Sequence, residues 1–364
     1  MAPPMRIVID AIPVRYGGFA VALEGQLRGW DAELGDELHL VLAADSQLVC
    51  PDWIKVHRLA LQRPAAVGGV RAQCVDVPRI CRAVGADVLL AAMPKTALGP
   101  VSAPKVITVQ DLRHEILPGQ FSRGRRLMRK VSYGAAYRQS RAIACISERT
   151  REDLLRSRPW LTRRHEVRTI PFGCDHVDGW TRDEALAAEH YALTFGHFTN
   201  KGVDRVLAAW RQLQRAGNAP LLRIVGLPAH ERPRVGARVS ELGLDGVVVA
   251  LPWLERADYQ RHFASASVIV FASDFEGFGL PAVEAMRLRI PLVISPDPAL
   301  LEVTGGLAEV MSGWEAADLA EAVGRALDSS PDQLDRAADF VAPHTWRRQA
   351  ASTRELLTWA VSHA

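Results

Sequence analysis

The stretch FASDFEGFGLPAVEAM, residues 271–286, sets two glutamates, Glu276 and Glu284, around a Gly-Phe-Gly loop that is followed, after Leu280, by Pro281. The run SVIVFAS that leads into it, residues 267–273, reads as a strand. A strand of a parallel sheet delivers its chain to the carboxyl edge, where open α/β sheets bind ligands. Pro281 suits the first turn of a helix, because its fixed φ fits there and its missing N–H has no intrahelical partner to lose. The backbone donors of Gly277, Phe278, Gly279 and Leu280, with the helix N-terminus behind them, can therefore face an anion such as a diphosphate. Two carboxylates beside such a cradle are suited to accept hydrogen bonds from sugar hydroxyls, since one carboxylate can take both donors of a vicinal diol. The competing reading is a plain loop with Glu284 on a solvated helix face.

The rest of the chain gives this motif its frame. With 364 residues, 48% hydrophobic and 23% charged, the length is more natural for two domains than for one. Short apolar runs alternate with amphipathic stretches throughout, the pattern of parallel strands joined by crossover helices. MRIVIDAIP, DELHLVLAA, ADVLLAAM, PKVITVQD and RAIACIS read as strands of a first sheet. YALTFG, LLRIVG, GVVVALPW, SVIVFAS, PLVISP and AEVM read as strands of a second. Ser147 is placed to cap the helix in SERTREDLLRS. The expected organisation is a first Rossmann-like domain over 1–172, a linker over 173–190, a second Rossmann-like domain over 191–344, and a terminal helix over 345–364.

Composition excludes several classes. A net charge of +3 is too small to call for nucleic acid as partner. Five cysteines at 50, 74, 81, 145 and 174, with no C-x-x-C spacing, indicate neither a disulfide framework nor a zinc site, and fit a reducing cytoplasm. No apolar run is long enough to span a bilayer. The segment FSRGRRLMRKVSYGAAYRQSR, residues 121–141, interleaves Arg123, Arg125, Arg126, Arg129 and Lys130 with Leu127, Met128 and Tyr133. It reads as a solvated face, as a peripheral contact with an anionic membrane that reaches a lipid-linked acceptor, or as a contact with an acidic substrate.

Motifs along the whole chain resemble those of the family-four retaining glycosyltransferases. FASDFEGFGLPAVEAM is similar to that family's signature, RYGGFAVALEGQL to its glycine loop, and VITVQDL to its His-Asp-Leu segment. ACISERTREDL, TIPFGCD, LTFGHFTNKGVDRVLAAW and HTWRRQAASTRELL follow in the family's order. The resemblance implies a GT-B fold: two Rossmann-like domains facing across a cleft, with the C-terminal helix returning to the N-terminal domain. It implies transfer of a hexosyl unit from a UDP- or GDP-linked donor to a sugar, lipid-linked or natural-product hydroxyl, with no cofactor beyond the nucleotide sugar and no metal. By the same resemblance Glu284 binds the ribose, Glu276 the transferred sugar, and Lys201 the diphosphate. Gly17 and Gly18 let the first-domain backbone approach the diphosphate, and Asp111 closes the catalytic floor. Taken alone, Lys201 reads as a surface lysine, the glycine pair as a turn, and Asp111 as a helix cap.

Three positions depart from the family pattern. Gln110 stands where histidine is usual and can hydrogen-bond but cannot titrate. His197 stands where arginine precedes the phosphate lysine, which makes donor affinity pH-sensitive if the phosphate charges the ring. Arg289 stands where a helix-ending glycine is customary. Gln110 and His197 keep a second possibility open, a non-catalytic partner subunit of the same fold; a nucleotide-sugar epimerase is a third.

Overall fold

A computed structural model of the protein describes residues 3–15, 17–61, 65–95, 99–197 and 199–364; Tyr16 in the glycine loop and Phe198 in the phosphate loop lie outside them. The chain divides into two compact units, residues 1–173 with 344–364, and residues 174–343. The stretch 173–190, read as a linker, falls almost wholly within the second unit and carries a 3₁₀ turn at Asp175–Val177 and a short helix at Glu184–Ala187.

The first unit is built on seven parallel strands: β1 Arg6–Asp10, β2 Glu37–Ala43, β3 Lys55–Leu59, β4 Val88–Ala91, β5 Lys105–Val109, β6 Ala142–Cys145 and β7 Glu166–Thr169. Their order is β3-β2-β1-β4-β5-β6-β7. In the middle, Ile9 of β1 sits between Leu40 of β2 and Leu90 of β4. The central strands are buried on both faces, which is why they read as unbroken apolar runs. The two edge strands, β3 and β7, are absent from the sequence reading. Both are half-exposed and carry charge, in Lys55, Arg58, Glu166 and Arg168, so neither shows an apolar run.

The second unit holds β8 Tyr191–Phe195, β9 Leu221–Val225, β10 Val248–Ala250, β11 Val268–Phe271, β12 Leu292–Ile294 and β13 Glu309–Val310, all parallel, in the order β10-β9-β8-β11-β12-β13. All six were expected from the sequence. Helix Val203–Arg215 buries Val206, Leu207 and Trp210 against Ile224, Val268 and Val270 of this sheet.

The C-terminal helix Trp346–Ser362 closes the first unit. Leu356, Leu357 and Ala360 enter its core, and Arg354 grips the buried Asp36 carboxylate in a fork, Nε to Oδ2 at 2.6 Å and Nη2 to Oδ1 at 3.0 Å. Asp36 also accepts from Trp30 Nε1 at 3.1 Å and from the Met5 amide at 2.9 Å, so its charge is buried but fully hydrogen-bonded. The helix lies so close to helix Gly18–Gly29 that a Cβ on Gly25 would overlap the Trp346 ring, and one on Gly29 the Trp346 backbone. Backbone cannot yield as a flexible side chain does, so Gly29→Ala is expected to lower stability by about 1–3 kcal/mol in urea unfolding. Gly236→Ala, in the exposed middle of helix Arg232–Glu241 with open space around it, is expected to raise stability by about 0.5–1 kcal/mol. Equal effects at the two positions would show that close helix approach is not what selects glycine at 29.

Candidate functional site

The quoted motif occupies the carboxyl edge of the second sheet. There the chain leaving β11 is stitched to the chain leaving β8. The Asp274 amide donates to the Asn200 carbonyl at 2.8 Å, and Asn200 Nδ2 returns a bond to the Phe275 carbonyl at 2.8 Å. Arg205 fixes the same loop, through Nη1 to the Ala272 carbonyl at 3.1 Å and Nη2 to Asp274 at 2.7 Å. Gly202, with φ at 66°, turns the chain into helix Val203–Arg215; a Cβ there would stand 2.6 Å from the Ala272 carbonyl oxygen.

This stitching brings Lys201 and Glu276 together across 75 residues of sequence. Lys201 Nζ donates to Glu276 Oε1 at 2.6 Å, with the two side chains only 6% and 14% exposed. Asn200 Nδ2 adds a longer bond to the same oxygen, and the Lys201 ammonium lies 4.4 Å from the Phe271 ring centre. On the other side, the Glu276 amide donates to Asp297 Oδ2 at 3.4 Å. Asp297 Oδ1 meanwhile caps helix Pro298–Thr304 through the Ala299 and Leu300 amides. Phe275, Phe278 and Leu280 are buried and anchor the loop, and Gly279, at φ 99°, makes the left-handed entry to helix Leu280–Arg287. That helix ends with the Ile290 amide on the Ala285 carbonyl and the Arg289 amide on the Met286 carbonyl. Arg289 therefore occupies the left-handed position, φ 56°, that glycine usually fills.

Glu284 is buried on that helix and is paired with His176, Nε2 to Oε1 at 2.9 Å. His176 stands edge-on to Trp180, and Trp180 edge-on to Phe263 and Tyr259. Burial, and secondarily the Glu284 charge, push the Tyr259 phenol well above its ordinary range, so it stays protonated. Arg287 holds the strand of chain bearing His176 in place through Asp178, at 2.5 and 2.7 Å. His197 follows β8 beside Gly226, whose absent side chain leaves it room.

His176 and Asp297 were not picked out in the sequence reading. Asp297, in SPDP, caps its helix, and nothing local marks its second oxygen for the Glu276 amide. His176 lies 108 residues before its partner, and no spacing signals that pairing.

The remaining predicted residues lie in the first unit, at the carboxyl edge of its own sheet. Gly17, φ 73°, caps helix Gly18–Gly29 just beyond β1. Gln110, at the exit of β5, is buried and donates its side-chain amide to the Ala92 carbonyl, while its main-chain carbonyl accepts from Thr150 Oγ1 at 3.2 Å. Asp111 accepts from the Arg113 amide at 2.9 Å, starting helix Arg113–Ile116. Asp10 ends β1. It is 1% exposed, its Oδ1 accepts from the Ile12 amide, and its Oδ2 has no hydrogen-bond partner among the described residues. Burial, only partly offset by that amide and by Lys95, pushes its carboxyl up to about 7. Among the described residues no group of three or more metal-ligating side chains converges, and no helix is long and apolar enough to cross a membrane.

Residues 183–339 match the family model described as "Glycosyl transferases group 1". Over 224 residues the chain is 28% identical to the MMP alpha-(1->4)-mannosyltransferase of Mycolicibacterium hassiacum, covering 59% of this chain and 53% of that protein. It is 29% identical over 182 residues to the D-inositol 3-phosphate glycosyltransferase of Pseudarthrobacter chlorophenolicus, covering 44% and 43%. The chain thus spans about half the length of these curated relatives. Among solved structures, sucrose-phosphate synthase of Thermosynechococcus elongatus superposes with a TM-score of 0.77 at 17% identity, covering 99% of this chain and 100% of that one. Anabaena Alr3699/HepE in complex with UDP and glucose gives 0.73 at 18%, covering 96% and 99%. At such identities the likeness establishes the fold, which is GT-B.

Two outcomes are expected from these contacts. Lys201→Met leaves Glu276 buried without its cation and should cost about 3–5 kcal/mol. The double variant Lys201→Met/Glu276→Gln should recover most of that loss; purely additive losses in urea unfolding would show that the pair is not coupled. For Asp10, whose carboxyl rises from 3.8 to about 7 on folding, the folded chain keeps a proton that the unfolded chain has released between those limits. Stability should therefore fall as pH rises through that window, by about 4 kcal/mol in all. Asp10→Asn should flatten this slope, and an unchanged pH profile would place the titration elsewhere.

Proposed function

We propose, from the match of residues 183–339 to the family model described as "Glycosyl transferases group 1", that the protein is a retaining glycosyltransferase. In this reading it moves a hexosyl unit from a nucleotide-diphosphate sugar to a hydroxyl acceptor. The observation that carries the proposal is the buried Lys201–Glu276 pair, held at the carboxyl edge of the second sheet by Asn200 and Asp297. An ammonium on that edge neutralises a departing diphosphate, and a carboxylate beside it accepts from the hydroxyls of the sugar. Glu284, oriented by His176, takes the ribose, and the Gly277–Leu280 backbone receives the phosphates.

Transfer then runs on one face of the sugar. The acceptor oxygen bonds to the anomeric carbon as the bond to the β-phosphate oxygen breaks, and the acceptor proton passes to that leaving oxygen. No protein nucleophile, metal or resident cofactor is needed, because the leaving group is itself the base. Gln110 fits this scheme as a positioning group, its amide being spent on the Ala92 carbonyl. Uridine is favoured as the base by the Anabaena neighbour, solved with UDP and with UDP-glucose. A hexosyl unit is favoured by the relatives named as mannosyltransferases. Within helix Arg123–Gln139, Leu127, Met128 and Val131 are exposed beside Arg123 and Lys130, while Tyr133, Ala136 and Tyr137 face the core. This supports peripheral contact with an anionic membrane from the cytoplasmic side.

Thermal melting with UDP, GDP, ADP, CDP and dTDP, with and without magnesium, tests the donor site. A nucleotide at about a hundred times its Kd should add roughly 2.7 kcal/mol of stability, independent of metal. Glu276→Gln should keep that shift and lose at least about a hundredfold in turnover. Wild-type turnover in the variant would remove Glu276 from the site.

A further inference from the structure

The amino edge of the first sheet, where its strands begin, carries a cleft of about 640 Å³ that the transfer site does not use. It is walled by the end of helix Arg123–Gln139 and the residues leading into β6, by the stretch 162–166 leading into β7, and by Trp359 of the C-terminal helix. All three walls belong to the first unit. Four guanidiniums line it, those of Arg138, Arg141, Arg163 and Arg164. The acidic residue of the lining, Glu166, is already engaged, accepting from Arg168 Nε at 2.8 Å. Among the described residues none of the four arginines is in an ion pair. No carboxylate is close in sequence to them on either wall, since residues 116–147 and 154–165 contain no Asp or Glu.

Two of these cations rest on aromatic rings. The Arg138 guanidinium lies 5.8 Å from the Trp160 ring centre, and its Nη1 donates to the Gly134 carbonyl at 3.2 Å. The Arg141 guanidinium lies 5.9 Å from the ring centre of Trp359, while the Arg141 amide is fixed on the Lys105 carbonyl at 2.7 Å. Arginines held in this way lose less freedom when they bind, and each keeps a planar fork suited to two oxygens of one phosphate. Trp359 is itself stacked on His363, with ring centres 4.4 Å apart and 15° between the planes. The indole is thus spent on contacts within the protein, and what the cleft offers a ligand is charge. Four like charges in one cleft repel one another, so the gain from an anion grows with the number of charges that it carries. A cleft of this size takes a small molecule rather than a single inorganic ion.

We propose that this cleft binds a chain of two or three phosphates at the amino edge of the first sheet. The chain is an inorganic polyphosphate or the phosphate tail of a nucleotide, since both present the same oxygens to the same forks. The site is separate from that of transfer. Gln110 and Asp111 stand at the carboxyl edge, and β6 alone, four residues long, spans about 13 Å between the two edges. The inference therefore does not depend on the transferase reading. A phosphate chain lying across the cleft joins the C-terminal helix to the segments that enter β6 and β7, and so fastens that helix to the sheet.

The test is calorimetric titration of inorganic triphosphate, at one fixed salt concentration, into the full chain and three variants of it. These are Arg138→Gln/Arg141→Gln, Arg163→Gln/Arg164→Gln and Lys201→Met/Glu276→Gln. The last removes the cation of the second unit, so that triphosphate held there is discounted. Binding should persist in Lys201→Met/Glu276→Gln and weaken by about tenfold or more in each arginine variant. It should also slow hydrogen exchange at the amides around Trp359. The four arginines are exposed, so an unchanged melting temperature without ligand is expected of both arginine variants and shows that they are folded. No binding to the wild type, or equal binding by all four proteins, overturns the proposal. So does an affinity for sulfate equal to that for triphosphate, which marks a diffuse surface field and no built cleft. Competition by adenosine triphosphate assigns the nucleotide as the source of the phosphate chain, and failure to compete assigns the inorganic one. Triphosphate binding lost in the arginine variants, with no shift in melting by any nucleoside diphosphate, removes the transferase reading and leaves this site in place.

Discussion

The buried contact between Lys201 and Glu276 sets the terms for everything around it in the second unit. Two charges shielded from water repay their desolvation only if geometry and further hydrogen bonds are good. Here Asn200 and Asp297 supply those bonds, and each is itself fixed: Asn200 by the Asp274 amide and the Phe275 carbonyl, Asp297 by the helix it caps. The glycine at 202 and the left-handed Gly279 follow from the same demand. The two loops can meet at this spacing only if the backbone at one turn runs against the Ala272 carbonyl, and at the other enters its helix from a left-handed residue. The motif's order of carboxylate, bare loop and second carboxylate is therefore one mechanical assembly, whose first carboxylate is clamped by the loop after β8 and whose second is clamped by His176.

How much of this the sequence discloses depends on how local its cause is. The central strands are legible because burial on both faces leaves only apolar residues to fill them. The edge strands β3 and β7 are not, because a strand with one partner and a wet face has no need of an apolar run; Lys55, Arg58, Glu166 and Arg168 sit in strands only because a neighbouring strand is there to pair with. Caps are local and are read correctly: Ser147 accepts from the Thr150 amide at 3.1 Å, as its position before an amphipathic run suggests. Arg289 is a mixed case. Its place at the helix end is legible, but that the chain keeps the left-handed turn without glycine, with Asp335 taking the guanidinium, is visible only in three dimensions.

The candidate site divides in the same way. Glu276, Glu284 and Lys201 are named by motif, yet the motif says nothing of which carboxylate meets which cation. Lys201 turns out to be engaged with Glu276, and Glu284 with a histidine from the stretch that reads as linker. Gln110 looks from sequence like a weakened catalytic group. Its buried side-chain amide is donated to the Ala92 carbonyl, a tie between the ends of β4 and β5 that the sequence does not disclose.

The two units solve opposite electrostatic problems at the same structural location, the carboxyl edge of a parallel sheet. In the second, a cation and a carboxylate neutralise one another under cover. In the first, a buried acid at the end of β1, Asp10, is driven by its surroundings toward the protonated form. Burial alone explains Asp10, because the desolvation of a lone carboxylate outweighs a distant ammonium.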